Sequence, residues 1–152
     1  MTREDIKASI EEYFETIEGD IPADERLASL CRALDRLAVA VHFAGNVFDD
    51  RPFPDARVRE YSVVRDIVSP NFPELGYYNV VLDIADKIAE TGLAVGDGID
   101  DVCDIARDLE EVLWRWQNTS IDDALWYFKE SYGWHWGKHL RDLQLYLHDL
   151  QT

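Results

Sequence analysis

Apolar residues that recur at alternating three- and four-residue steps commit the last third of this chain to helix. Ile99, Val102, Ala106, Leu109, Leu113 and Trp116 keep that rhythm, which places them on one face of a helix. The triplet Asn118-Thr119-Ser120 breaks it, and Ser120 with Asp123 makes a capping box for the next helix. There Ile121, Leu125, Phe128, Tyr132, His135, His139, Leu143, Tyr146 and Leu150 share one side. Two long helices joined by so short a break are expected to pack antiparallel.

The same reasoning reaches the N-terminus. Thr2 and Asp5 form a capping box, Ile6, Ile10 and Ile17 follow at helical spacing, and Gly19 closes the run. Pro22 suits the first position of a second helix, striped by Leu27, Leu30, Leu34, Leu37 and Val41 and stopped at Gly45-Asn46. A short helix is expected over residues 57–68. Around it, two proline-bearing stretches, 46–60 and 69–76, read as loops. Tyr77–Ala85 contains Tyr and Val that suit a strand locally, but a lone strand finds no partner, so helix is the expectation. Glu90–Gly98 reads as a glycine-rich loop. The fold class is therefore an all-α, single-domain bundle of about five to six helices spanning residues 1–152, a size that buries a core without disulfides.

Charge narrows the function classes. Fifteen basic residues stand against thirty-one acidic ones, a formal net charge of −16. That excess repels phosphate backbones and anionic membranes, so neither nucleic acid nor membrane is an expected partner; a basic protein is. Cys31 and Cys103 lack CxxC spacing and read as small core residues of a reducing, cytoplasmic compartment. The acidic, amphipathic N-terminus resembles no signal peptide, and the longest apolar run, Leu37–Gly45, is too short for a membrane span. No nucleophile elbow, phosphate-binding loop or dinucleotide fingerprint is present.

Chemistry concentrates in Ser131–Leu140, SYGWHWGKHL. His135 and His139 stand four apart on one helical face, the arrangement by which a helix offers two imidazoles to one ion. Neither HExxH nor the ExxH of di-iron bundles is present, so further ligands must come from elsewhere. His42 is one candidate; Asp101, Asp104 and Asp108 on the neighbouring helix are others. The simpler reading makes both histidines core residues with satisfied nitrogens. Gly133 and Gly137, also four apart, point to the close approach of a backbone or a bulky ring.

The same residues carry a family resemblance. Asp123–Leu140, DALWYFKESYGWHWGKHL, is similar to the C-terminal motif of the uncharacterised bacterial DUF5063 family: Ala-Leu-Trp, an aromatic, a basic residue, Ser, an aromatic, then His-Trp-Gly-x-His. The acidic stretch Asp100–Leu113 and, more loosely, Leu75–Asp83 also resemble that family, although Leu82-Asp83-Ile84 stands where a Phe-Asp-Pro turn belongs. The resemblance implies an all-helical domain with His135 and His139 in the motif, and it implies no activity.

Asp97, Asp101, Asp104, Asp108 and Glu111 repeat at helical spacing one residue off the apolar stripe. They read as a solvated flank, as a docking strip for a basic partner, or as groups that reach the histidines. The leading expectation is a non-enzymatic, cytoplasmic protein-binding module without a cofactor, in the manner of an immunity or inhibitor protein that neutralises a basic partner. The alternative is a metal-binding protein or metal-dependent enzyme holding a divalent metal through His135, His139 and nearby carboxylates. A homo-oligomer joined through Trp-rich surface is a third reading.

Overall fold

The computed structural model describes residues 1–152. Helix α1 (Arg3–Glu18) starts at the Thr2–Asp5 capping box and ends at Gly19. A 3₁₀ turn after Pro22 leads into α2 (Arg26–Ala40), and Tyr61–Val68 forms the short α3. Residues expected to continue as helix and loop instead form a hairpin. Strand β1 (Tyr77–Val81) pairs antiparallel with β2 (Leu93–Asp97), with Tyr78 opposite Gly96 and Val81 opposite Leu93. Helix α4 (Gly98–Asn118) follows β2 directly, capped by Asp97, which accepts from the Ile99 and Asp100 N–H groups. Ser120 caps α5 (Ile121–Ser131); one π turn, Tyr132–Trp136, then carries the chain into α6 (Gly137–Gln151).

The architecture is thus predominantly helical but not all-α. The stretch that suits a strand locally finds its partner in the glycine-rich stretch expected to be loop. Gly96 makes the pairing work: a β-carbon there would come within 2.6 Å of the Tyr78 ring. The third helix begins at Tyr61, four residues later than expected. No helix is long and apolar enough to cross a membrane.

One hydrophobic cluster draws on all six helices, from Ile6, Ile10, Tyr13 and Ile17 of α1 to Leu140, Leu143 and Leu147 of α6. Tyr13, fully buried, satisfies its hydroxyl by donating to the Val102 carbonyl at 2.9 Å. Helix α4 runs antiparallel to the α5–α6 rod, since Arg115 meets Asp123, Asp108 meets His135 and Asp101 meets His139.

The π turn resets the face of that rod. An uninterrupted helix would bury Tyr132, His135 and His139. The extra residue in the turn instead brings Trp136, Leu140 and Leu147 inward beside Leu143. Trp136 is fully enclosed, with its ring against Phe128 and Tyr132 and its Nε1–H donating to Ser131 Oγ (3.0 Å) and the Phe128 carbonyl (3.3 Å). His135 and His139 move to the edge that faces α4. The reading of them as core residues is therefore corrected: their side chains are 36% and 27% exposed.

Gly137 closes the turn, and its N–H reaches the Tyr132 carbonyl five residues back. A β-carbon at 137 would fall 2.4 Å from that oxygen and 2.8 Å from the Tyr132 ring, whereas one at 133 would meet nothing within 4 Å. The two glycines are therefore not equivalent, and the close ring approach expected for both exists only at Gly137. Gly137→Ala should lower stability by about 1–3 kcal/mol through overpacking. Gly133→Ala should raise it by about 0.4–1 kcal/mol through a less flexible unfolded chain. Urea unfolding of the two variants checks the opposite signs.

Candidate metal centre

Helix α4 places Asp101, Asp104 and Asp108 at three- and four-residue steps along one edge, opposite the edge to which the π turn has shifted the histidines. Asp108 Oδ2 lies 2.6 Å from His135 Nδ1, and Asp101 Oδ1 lies 2.7 Å from His139 Nδ1. Asp101 and Asp108 are buried, and each uses its second oxygen for a tyrosine. Tyr78 of β1 donates to Asp101 Oδ2; Tyr127 of α5 donates to Asp108 Oδ1 at 3.4 Å. Two parallel relays result, Tyr78–Asp101–His139 and Tyr127–Asp108–His135.

A carboxylate beside Nδ1 keeps the proton on that nitrogen and leaves the Nε2 lone pair free in the neutral ring. His139 Nε2 faces Asp104 Oδ2 at 3.5 Å, while His135 Nε2 makes no hydrogen bond within the protein. The imidazole centroids are 5.0 Å apart and their planes cross at 75°. Asp104, His135 and His139 each offer one ligand atom, and the three atoms lie within 4.8 Å of one another. Ligands at about 2.0–2.2 Å from a first-row ion stand roughly 3–4 Å apart, so small side-chain rotations complete such a triad. Trp134, 64% exposed, stacks on His135 from the solvent side.

The electrostatics of the cluster are those of a site short of positive charge. Burial raises the Asp104 carboxyl, and repulsion from Asp100 adds to the effect against the opposing pull of the two histidines. Burial likewise raises Asp108, against the bond from His135. The bond to Asp101 raises His139, burial opposes it, and the charges of Asp101, Asp104 and Asp100 reinforce it.

The other residues singled out from sequence have separate fates. His42 is exposed in the 3₁₀ turn that follows α2 and contributes nothing to this cluster. Asp97 caps α4 and pairs with Arg65 at 2.9 Å, while Glu111 pairs with Arg115 at 2.8 Å. None of Asp97, Asp101, Asp104, Asp108 and Glu111 is fully exposed. Cys103 is buried and its thiol is pushed up to about 12, chiefly by burial; Cys31 is half-buried near the C-terminus, within reach of Gln151. The two tyrosines of the relays were not found by sequence reasoning. The face of Tyr78 depends on an unread hairpin, and Tyr127 lies off the apolar stripe.

Residues 3–152 match the family described as Domain of unknown function (DUF5063). The chain belongs to this family. The DUF5063 fold recurs in a crystal structure of protein BF1032 from Bacteroides fragilis, similar with a TM-score of 0.73 at 16% identity over 99% of this chain and 89% of that one. At that identity the likeness is one of fold. No curated protein matches the chain.

The raised groups define a pH dependence. Asp104, Asp108 and His139 all hold protons more tightly folded than unfolded, so each stabilises the protein on the acid side and loses that contribution as pH rises. For the two aspartates the loss begins in the ordinary carboxylate range and extends above it, and for His139 it begins at the ordinary imidazole range and extends above it. With chelator present, the urea midpoint should fall as pH rises through and above the ordinary histidine range, and His139→Gln should flatten that slope. An unchanged slope in the variant would place the responsible group elsewhere.

Proposed function

We propose that this DUF5063 protein binds one divalent first-row transition-metal ion through His135, His139 and Asp104. The observation that carries the reading is the pair of carboxylate–imidazole contacts, Asp108 to His135 and Asp101 to His139, beside a third carboxylate 3.5 Å from His139 Nε2. Histidine ligands of metals characteristically donate the other ring nitrogen to a carboxylate, which sets ring orientation and raises ligand basicity. Two imidazoles and one carboxylate suit iron(II), zinc, manganese, cobalt or nickel better than calcium or magnesium, which prefer all-oxygen shells.

Three protein ligands on one side leave coordination positions for water or a small ligand, the condition a metal requires to act as a Lewis acid. The ion also ties α4 to the junction of the π turn and α6, so binding adds stability by mass action. The expected exposed acidic docking strip is less well supported, because its five members make internal contacts. The acidic surplus of the chain nevertheless favours cations in general, including the ion proposed here.

The test is elemental analysis of untagged protein purified without chelator, followed by cobalt(II) titration of stripped protein monitored by visible absorption. One ion per chain and a ligand-field spectrum are expected. Both should be lost in His135→Gln/His139→Gln and in Asp104→Asn while circular dichroism stays unchanged. Tyr78→Phe and Asp101→Asn should weaken binding by about 10–100-fold, because they release the ring that Asp101 orients. Affinity should rise with pH as the proton leaves His139. Wild-type protein that yields no ion and no cobalt spectrum would refute the proposal.

A further inference from the structure

A second unassigned feature lies away from the histidines. Between the hairpin and α6 runs an open groove of about 890 Å³. All five residues of β1 line it and none of β2 does, so the groove follows the edge of β1 that lacks a strand neighbour. The backbone of Tyr77–Val81 makes hydrogen bonds to β2 alone. In an antiparallel pair, alternate residues direct their N–H and C=O groups outward, which leaves a row of donors and acceptors along this edge. An edge of that kind is a template for another strand.

The walls are apolar and exposed. Ile84 and Ile88 of the strand connection and Leu145 of α6 are 77%, 75% and 71% exposed, and Tyr77 stands beside them. An apolar surface of this extent on an otherwise strongly charged protein marks an interaction site. The floor is rigid. Tyr78 stacks on Tyr146 with ring centroids 4.4 Å apart, and the Tyr146 hydroxyl accepts the Gly76 N–H at 3.0 Å.

Charge selects the occupant. Among the residues that line the groove, Asp83, Asp142 and Asp149 outnumber Lys87, and Asp83 and Asp142 already pair with Lys87 and Lys138. Asp149 has no ion-pair partner at all, and the molecule as a whole carries −16. A second copy would bring the same acidic rim against itself. We infer that the groove takes an extended segment of a basic protein partner, added to β1 as a third strand, with apolar side chains toward Ile84, Ile88 and Leu145 and Lys or Arg side chains toward the acidic rim. Backbone pairing supplies the hold and side-chain alternation the selectivity, as in other strand-addition interactions.

The test uses a fluorescein-labelled dodecapeptide of alternating Lys and Val, followed by fluorescence anisotropy at low and high salt. Three comparisons accompany it: the same peptide N-methylated at every second residue, a Glu/Val counterpart, and the protein variant Leu145→Arg. Binding that weakens with salt is expected. N-methylation, which removes backbone donors but keeps every charge, should cost about tenfold or more in affinity, and Leu145→Arg should do the same. The Glu/Val peptide should not bind. Because Leu145 is exposed, its replacement leaves the fold intact, which circular dichroism checks. Absence of binding, or binding indifferent to N-methylation or to Leu145→Arg, overturns the inference. So does concentration-dependent self-association that Leu145→Arg abolishes, which would assign the groove to a second copy.

Discussion

One inserted residue in the last helical rod sets which side chains of that rod enter the core and which face α4. The π turn at Tyr132–Trp136 allows a fully buried tryptophan to enter the core where a regular helix would have brought a histidine. The turn is held from inside by the Trp136 indole, which donates to Ser131 and Phe128, and from behind by a glycine that a methyl group could not replace without collision. Such turns concentrate at functional sites because they re-aim side chains without ending the helix. Here the re-aimed side chains are His135 and His139.

The acidic character of α4 makes sense once the histidines face it. Asp101, Asp104 and Asp108 would repel one another on an isolated helix. In the fold, Asp101 and Asp108 each gain an imidazole and a tyrosine hydroxyl, while Asp104 is left between two rings with a raised carboxyl. Buried carboxylates keep their charge only when enough donors or cations surround them. An ion among Asp104, His135 and His139 would supply the missing positive charge. The hairpin takes part through Tyr78, whose ring packs on α6 while its hydroxyl holds Asp101.

The same tyrosine joins two otherwise separate regions. One side of the hairpin is fastened to α6 and, through Asp101, to the histidine cluster; the outer edge of β1 is open. Gly96 makes room for this arrangement, because only a residue without a β-carbon lets the Tyr78 ring lie across β2. A two-stranded hairpin is marginal by itself in water, so its anchorage on α6 is what makes a persistent strand edge available.

The helical periodicity of α1, α2 and α4, the caps at Thr2 and Ser120, and the antiparallel packing of the last two rods followed from local spacing, since these features depend on neighbours a few residues apart. The family likeness in Asp123–Leu140 and the pairing of His135 with His139 were legible for the same reason. Tertiary structure alone decided the hairpin, because a strand acquires meaning only from a partner further along the chain, as Tyr77 does from Asp97 and Val81 from Leu93. It alone decided the π turn as well, because the gain from burying Trp136 lies in the surrounding core and leaves no periodic trace in the chain. Which helices touch likewise decided that Asp104 and not His42 stands beside the histidines.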